Sequence, residues 1–304
     1  MNRQSAHAHH HAPPDFNRAF AVGVSLNVVF VIIEAVFGVL SDSLALLTDA
    51  SHNLSDVIGL LLAWGAATLA RRKPSPRRTY GYSRATILAS LFSGLLLMGA
   101  VGAIGWEAVN RLMAPAQPAG ITIMLVAAVG VVINTVTALF FFKGKDSDLN
   151  IRGAYLHMAS DAAVSLGVVI SGALIWKLGW SWIDPIISLV IALVILLSTW
   201  GLLRDSLNLA VDAVPRKVDP EKVRSFLAGL PGVQAVHDLH IWPMSTTDTA
   251  LTAHLVMQPL PQDNRFLHDT AHALEHEFHI QHATIQVEAA SSEIICHQSE
   301  HCAA

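Results

Sequence analysis

Thr48-Asp49-Ala50-Ser51-His52-Asn53-Leu54-Ser55-Asp56 is the stretch on which the reading of this chain turns. It lies inside an apolar run, residues 43–69, long enough to cross a bilayer as a helix. His52 and Asp56 are four residues apart, so a helix puts them on one face. The same spacing returns in a later apolar run as His157-Met158-Ala159-Ser160-Asp161. Two imidazoles and two carboxylates can close a tetrahedron round one ion, and that donor set suits Zn2+. An Asp near the bilayer centre costs about 2.5–3.5 kcal/mol to insert. Two helix–helix hydrogen-bonding pairs are the plainer reading; the repeat in two separate spans favours an ion. Asp49, a turn before His52, is either a fifth candidate ligand or, the favoured reading, a partner that orients an imidazole from behind.

Composition agrees with a membrane protein. The 304 residues are 53% hydrophobic and 14% charged, with mean hydropathy +0.48; average usage is about a quarter charged. The formal charge of −4 says little, because the charges are unevenly placed, and no nucleic-acid partner is expected. Cys296 and Cys302 both fall in the last ten residues, so no disulfide framework runs through the core. Residues 1–15 carry His7, His9, His10 and His11 and no apolar h-region. They read as a disordered, loosely metal-collecting tail or an idle one, not a cleavable signal.

Six apolar spans follow, at about 16–40, 43–69, 83–112, 121–142, 151–178 and 184–203. The first carries Asn27 and Glu34, seven apart, for which hydrogen bonding within the bundle is favoured over an ion pathway. The third is rich in small residues that permit close packing. Basic residues crowd the loop after span two, as Arg71, Arg72, Lys73, Arg77 and Arg78. Lys143 and Lys145 follow span four, and Arg204, Arg216 and Lys217 follow span six. The positive-inside rule then places both termini in the cytoplasm. Contact with anionic lipid is the favoured role for the first basic loop.

The texture changes after Asp212. A helix is expected at 219–230, strands at 233–242 and 249–257, a helix at 264–278 and a strand at 282–288. Helix–strand–strand–helix–strand is a small α+β unit, most simply ferredoxin-like with both helices on one face of an open sheet. Some 80 residues bury a modest core, so dimerisation would help. The organisation expected is a tail (1–15), a six-helix transmembrane domain (16–211), a cytoplasmic domain (212–290) and a Cys/His tail (291–304). Between His237 and His282 lie eight histidines. Of these, His237, His254 and His268, with Glu288, are the first choices for a cytoplasmic metal site; His240 and His282 come next. The tail offers Cys296, His297, His301 and Cys302 as a chelating set, without the Cys-x-x-Cys knuckle of a structural zinc module.

With those residues in hand, the chain resembles the cation diffusion facilitator family, in its bacterial zinc-exporting branch. The resemblance rests on Gly38-Val39-Leu40-Ser41-Asp42-Ser43-Leu44-Ala45-Leu46, on Thr48 to Asp56, and on Tyr80-Gly81-Tyr82 with Arg84. It continues in Leu149-Asn150-Ile151-Arg152-Gly153-Ala154-Tyr155-Leu156-His157 with Asp161, in Asp184-Pro185, in His237-Asp238-Leu239-His240-Ile241-Trp242, and in His282-Ala283-Thr284-Ile285-Gln286-Val287-Glu288. It implies a homodimeric, proton-coupled exporter of divalent metal. The transport site would be His52, Asp56, His157 and Asp161, between the second and fifth helices, in the arrangement associated with zinc. A metallochaperone-like cytoplasmic domain would bind further metal. Thr86 stands where this branch usually has Glu, which puts an interhelical polar contact in doubt. The Pro/Ser/Arg loop after span two holds none of the His and Asp that bind metal there in some relatives. The short loop after span four suggests a bacterial inner-membrane protein.

The expectation is therefore a secondary transporter and not an enzyme: a proton/zinc antiporter in a lipid bilayer. No Gly-rich phosphate loop and no His-Glu-x-x-His signature is present in the sequence. Zn2+ binds neutral imidazole and ionised carboxylate, so binding releases protons, and histidine is a natural carrier. The rivals are an exporter of Cd2+, Co2+, Ni2+ or Fe2+, a membrane zinc enzyme, and a membrane-anchored metal sensor. A catalytic site would keep an open position and a nearby base. A mere anchor has no reason to carry the intramembrane quartet.

Overall fold

The computed structural model describes residues 18–114, 117–142 and 149–290, and within these the side chains at 18–27, 60, 140, 141 and 149–157 lie outside the description. The N-terminal histidines, the tail with Cys296, His297, His301 and Cys302, and the His157 side chain thus lie outside the described residues. The helices are α1 (Arg18–Leu40), α2 (Leu44–Ala70), α3 (Ala85–Met113), α4 (Gly120–Phe142), α5 (Leu149–Leu178) and α6 (Ile183–Ala210). Then come α7 (Pro220–Ala228), β1 (Val233–Pro243), β2 (Thr249–Met257), α8 (Arg265–Phe278) and β3 (His282–Ala289). Among the described residues, α2 to α6 contain five stretches long and apolar enough to cross a membrane, and Val28–Leu40 of α1 is a shorter apolar helix. Large apolar side chains such as Val132, Leu125 and Trp106 face outward, while Glu34, Asp49, Asn53 and Asp161 are buried. That inversion of the soluble pattern belongs to a multi-pass membrane protein. α6 outruns the apolar stretch that suggested it, because a helix backbone continues into water where polar side chains such as Asp205 follow; Asp205 pairs with Arg216 at 2.7 Å.

The chain divides into two compact units, Met1–Val57 with Ala100–Ile195 and Ile58–Gly99 with Leu196–Ala304. In the first, α4 and α5 pack backbone to backbone. A Cβ on Gly172 would lie 2.6 Å from Met124 N, and one on Gly120 would lie 2.7 Å from Gly172 O. Only glycine permits that approach. The start of α2 is held from α6. Asp184 accepts the Ser43 hydroxyl at 2.6 Å and the Leu44 N–H at 2.7 Å, which satisfies donors at the positive end of the helix. Arg111 pairs with Asp42 at 2.8 Å in the turn before α2 and donates to its carbonyl at 2.7 Å. These contacts fix the axial position of α2, and so the height of His52.

In the second unit, Arg84 pairs with Asp212 at 2.7 Å. Thr86, the departure from the family pattern, has a partner: its hydroxyl accepts the Thr246 N–H at 3.1 Å and donates to the Ser83 carbonyl. The C-terminal domain has the expected order of elements. Its sheet runs β1-β2-β3, with β1–β2 antiparallel and β2–β3 parallel. Asp219 caps α7, accepting from the Glu221 and Lys222 N–H groups, and Pro220 sits in the first turn. Val223 and Leu227 of α7 and Leu274 of α8 join Leu251, Ala253, Leu255 and Met257 of β2 in one core. Both helices therefore cover one face of the sheet, as a ferredoxin-like fold requires. Residues of β2 that alternate with the core set, His254 among them, belong to the other face.

Candidate metal centres

The first centre lies between α2 and α5. His52 Nε2 is 3.7 Å from Asp56 Oδ2 and 3.5 Å from Asp161 Oδ1. Asp56 is one turn further along α2, and Asp161 comes from the neighbouring helix. Two ligands of one tetrahedral Zn2+, each bonded at about 2.0–2.1 Å, stand roughly 3.3 Å apart. His52 is thus spaced to share an ion with Asp56, and likewise with Asp161, after a shift of a few tenths of an ångström in each pair. Asp161 is 2% exposed, and water is largely shut out on its side. His157 lies in α5, one turn before Asp161.

Asp49 stands behind this group and is fully buried. Its carboxylate accepts the Ser165 hydroxyl of α5 at 2.7 Å, so it ties α2 to α5 next to the donors. Glu34 of α1, also fully buried, reaches Asp49, and Asn53 donates to it at 3.4 Å. The hydrogen bonding expected of Glu34 thus takes place, and it runs to α2. Ser165 was not picked out by the sequence reading. Its signal was weak: one hydroxyl, one turn beyond Asp161.

The second centre is on the helix-free face of the C-terminal sheet. His237, His254 and Glu288 bring one donor atom each to within 4.8 Å of one another. Glu288 Oε2 is 3.2 Å from His237 Nε2, and Glu288 Oε1 is 2.9 Å from His254 Nδ1. Two imidazoles and a carboxylate are a zinc-type donor set with a fourth position to fill. Strand register makes the group: His237 lies opposite His254 in β1–β2, and Glu288 lies beside Val256 in β2–β3.

A β-bulge completes it. From His237 to His240 β1 uses three residues where β2 uses two, His254 to Thr252. The extra residue is absorbed at Asp238, whose φ is 51°. The bulge lets Val236, Leu239 and Ile241 all reach the core while His237 and His240 keep the opposite face. Asp238 Oδ2 then lies 3.5 Å from His254 Nε2, and Oδ1 lies 3.1 Å from His240. His254 is held between two carboxylates, the arrangement that orients a metal-binding imidazole. Asp238 stands in a motif quoted from the sequence, but the sequence alone assigns it no role at this site. Its signal was the break in alternation, apolar at 236, 239 and 241.

The other histidines singled out go elsewhere. His240 is turned to Asp238 and is largely exposed. His282 meets the edge of Tyr80, ring centres 5.5 Å apart. His268 stands on the outer face of α8, paired with Asp269 at 3.1 Å.

Residues 20–209 match the family model described as the cation efflux transmembrane domain, and residues 215–290 that of the cation efflux protein, cytoplasmic domain. The chain is similar to the cation efflux system protein CzcD of Alcaligenes sp. (strain CT14), at 38% identity over 95% of this chain and 92% of that one. It is 35% identical to the cadmium, cobalt and zinc/H(+)-K(+) antiporter of Bacillus subtilis, over 92% of this chain and 91% of that one. To the zinc transporter ZitB of Escherichia coli (strain K12) it is 35% identical, over 95% and 93%.

Proposed function

This chain belongs to the cation efflux family, that of the cation diffusion facilitators, and we propose that it is a homodimeric antiporter that moves Zn2+ out of the cytoplasm in exchange for protons. It is a transporter of divalent metal cations and not an enzyme. One observation carries the finer reading: His52 and Asp161 stand 3.5 Å apart across two helices, with Asp56 beside them. The ion is the substrate. His52, Asp56, His157 and Asp161 are its four ligands, His157 by its place in α5 one turn before Asp161. Asp49, anchored by Ser165 and flanked by Glu34, holds the height of α2 against α5.

Proton exchange follows from the donor set. Zn2+ displaces protons from imidazole and carboxyl groups, and protons arriving from the other side displace Zn2+. The same residues therefore serve both cargoes in alternation. His237, His254 and Glu288 would hold a further Zn2+ in the cytoplasmic domain, with Asp238 orienting His254. The matched family of that domain is named for dimerisation, and a second copy could bring the fourth donor. The short loop after the fourth span favours a bacterial inner membrane, and the basic loops favour both termini on its cytoplasmic side.

The test is zinc uptake into inside-out vesicles carrying the full chain, with and without an acidic interior. Uptake that follows the pH gradient and is lost in His157→Ala supports antiport through this site. Saturable zinc binding without uptake would overturn it in favour of a sensor. The name of the Bacillus subtilis relative includes cadmium and cobalt, which favours a broader cargo as the second reading. Competition by Cd2+ and Co2+ in the same vesicles separates the two.

A further inference from the structure

Helix α8 has two unlike faces. Thr270 and Leu274 are buried, and Phe266 and Phe278 pack against the domain core. His268, His272 and His276 recur every four residues and are exposed. Their rings form a column, with centres 6.5 Å apart from His268 to His272 and 4.2 Å apart from His272 to His276. The column does not belong to the group of His237, His254 and Glu288. That group lies on the helix-free face of the sheet, whereas the column looks outward from a helix that covers the other face.

We propose that His272 and His276 chelate one divalent transition-metal ion of the imidazole-binding class, Zn2+, Ni2+ or Cu2+, on the outer face of α8. Residues four apart on a helix are neighbours on its surface, and the same spacing of two histidines on one helix face holds Zn2+ elsewhere. One ion bonded at about 2.0–2.1 Å to both rings needs nitrogens roughly 3.3 Å apart. Rings with centres 4.2 Å apart, free to turn in solvent, reach that separation without moving the backbone. Among the described residues neither ring is hydrogen-bonded to a carboxylate, whereas His268 is held by Asp269. The pair is therefore the chelate, and His268 the ring that could join it. Hard ions such as Mg2+ and Ca2+ prefer oxygen donors and are excluded. With two protein ligands and the rest water, the ion exchanges readily. The site does not depend on the transport reading.

Two local readouts on the full-length protein in detergent test it: acylation of individual histidines by diethyl pyrocarbonate, and hydrogen exchange of residues 265–279, both followed by mass spectrometry. Added Zn2+ or Ni2+, but not Mg2+, is expected to protect His272 and His276 together and to slow exchange in α8. In His272→Gln/His276→Gln the slowing in α8 should vanish, while any change at residues 233–243 and 282–289 remains. These substitutions are exposed and leave the core alone. Two results would overturn the proposal: rings equally reactive with and without Zn2+, or slowing in α8 that survives the double substitution.

Discussion

Asp184 accepts the Leu44 N–H at 2.7 Å from the first turn of α6, 140 residues away in the chain. It also takes the Ser43 hydroxyl, so one buried carboxylate closes the start of α2. Asp184→Ala strips this end of its acceptor and leaves buried donors unsatisfied, at a cost of about 2–3 kcal/mol. The expected outcome is a lower midpoint of thermal unfolding in detergent, together with weaker zinc transport because α2 loses its height. An unchanged midpoint would show that the cap is not a structural tie.

Asp161→Asn keeps the size of the side chain and removes its charge. Outer-sphere changes at metal sites cost about 10–100-fold in affinity, so loss of a ligand is expected to weaken zinc half-saturation by ~100-fold or more. Size-exclusion and thermal profiles should match those of the parent. Wild-type zinc flux in vesicles would remove Asp161 from the ion's path.

Gly172→Val tests the contact of α4 with α5. Its Cβ would stand 2.6 Å from the Met124 backbone, and no flexible side chain is there to give way. Overpacking of this kind costs about 1–3 kcal/mol. Reduced yield of folded protein is expected, or α5 displaced enough to disturb Asp161. Full yield with full transport would mean that the two helices have slack.

Asp238 serves backbone and site at once, and two substitutions separate the roles. Both Asp238→Gly and Asp238→Ala delete the carboxylate beside His254, and both should weaken zinc binding at the C-terminal site by about 10–100-fold. Glycine tolerates a φ of 51° where alanine is strained, so the glycine variant should be the more stable by about 1 kcal/mol. Equal stability of the two would indicate that the bulge rearranges when the carboxylate is lost.

The architecture was legible in the sequence because its signals are local. Apolar runs mark the membrane helices, a period of two marks β2 and β3, and Asp219-Pro220 announces α7. The His-x-x-x-Asp pairs are local too, since four residues make a helical turn. Which side chains from different elements meet was legible only in part: His237, His254 and Glu288 stood among the first choices, but so did His268, which goes elsewhere. Eight histidines between 237 and 282 look alike in sequence. Strand register brings His237 and His254 to Glu288, and the direction of α8 sends His268 to the outside. A single extra residue in β1 decides whether His237 and His240 share a face, and whether Asp238 reaches His254. The tie from Asp184 to Ser43 spans 141 residues and has no periodic trace at all. Periodicity is a property of one element and can be read from it alone. Register, bulges and helix-to-helix ties are properties of pairs, decided only when each element buries its apolar face against another.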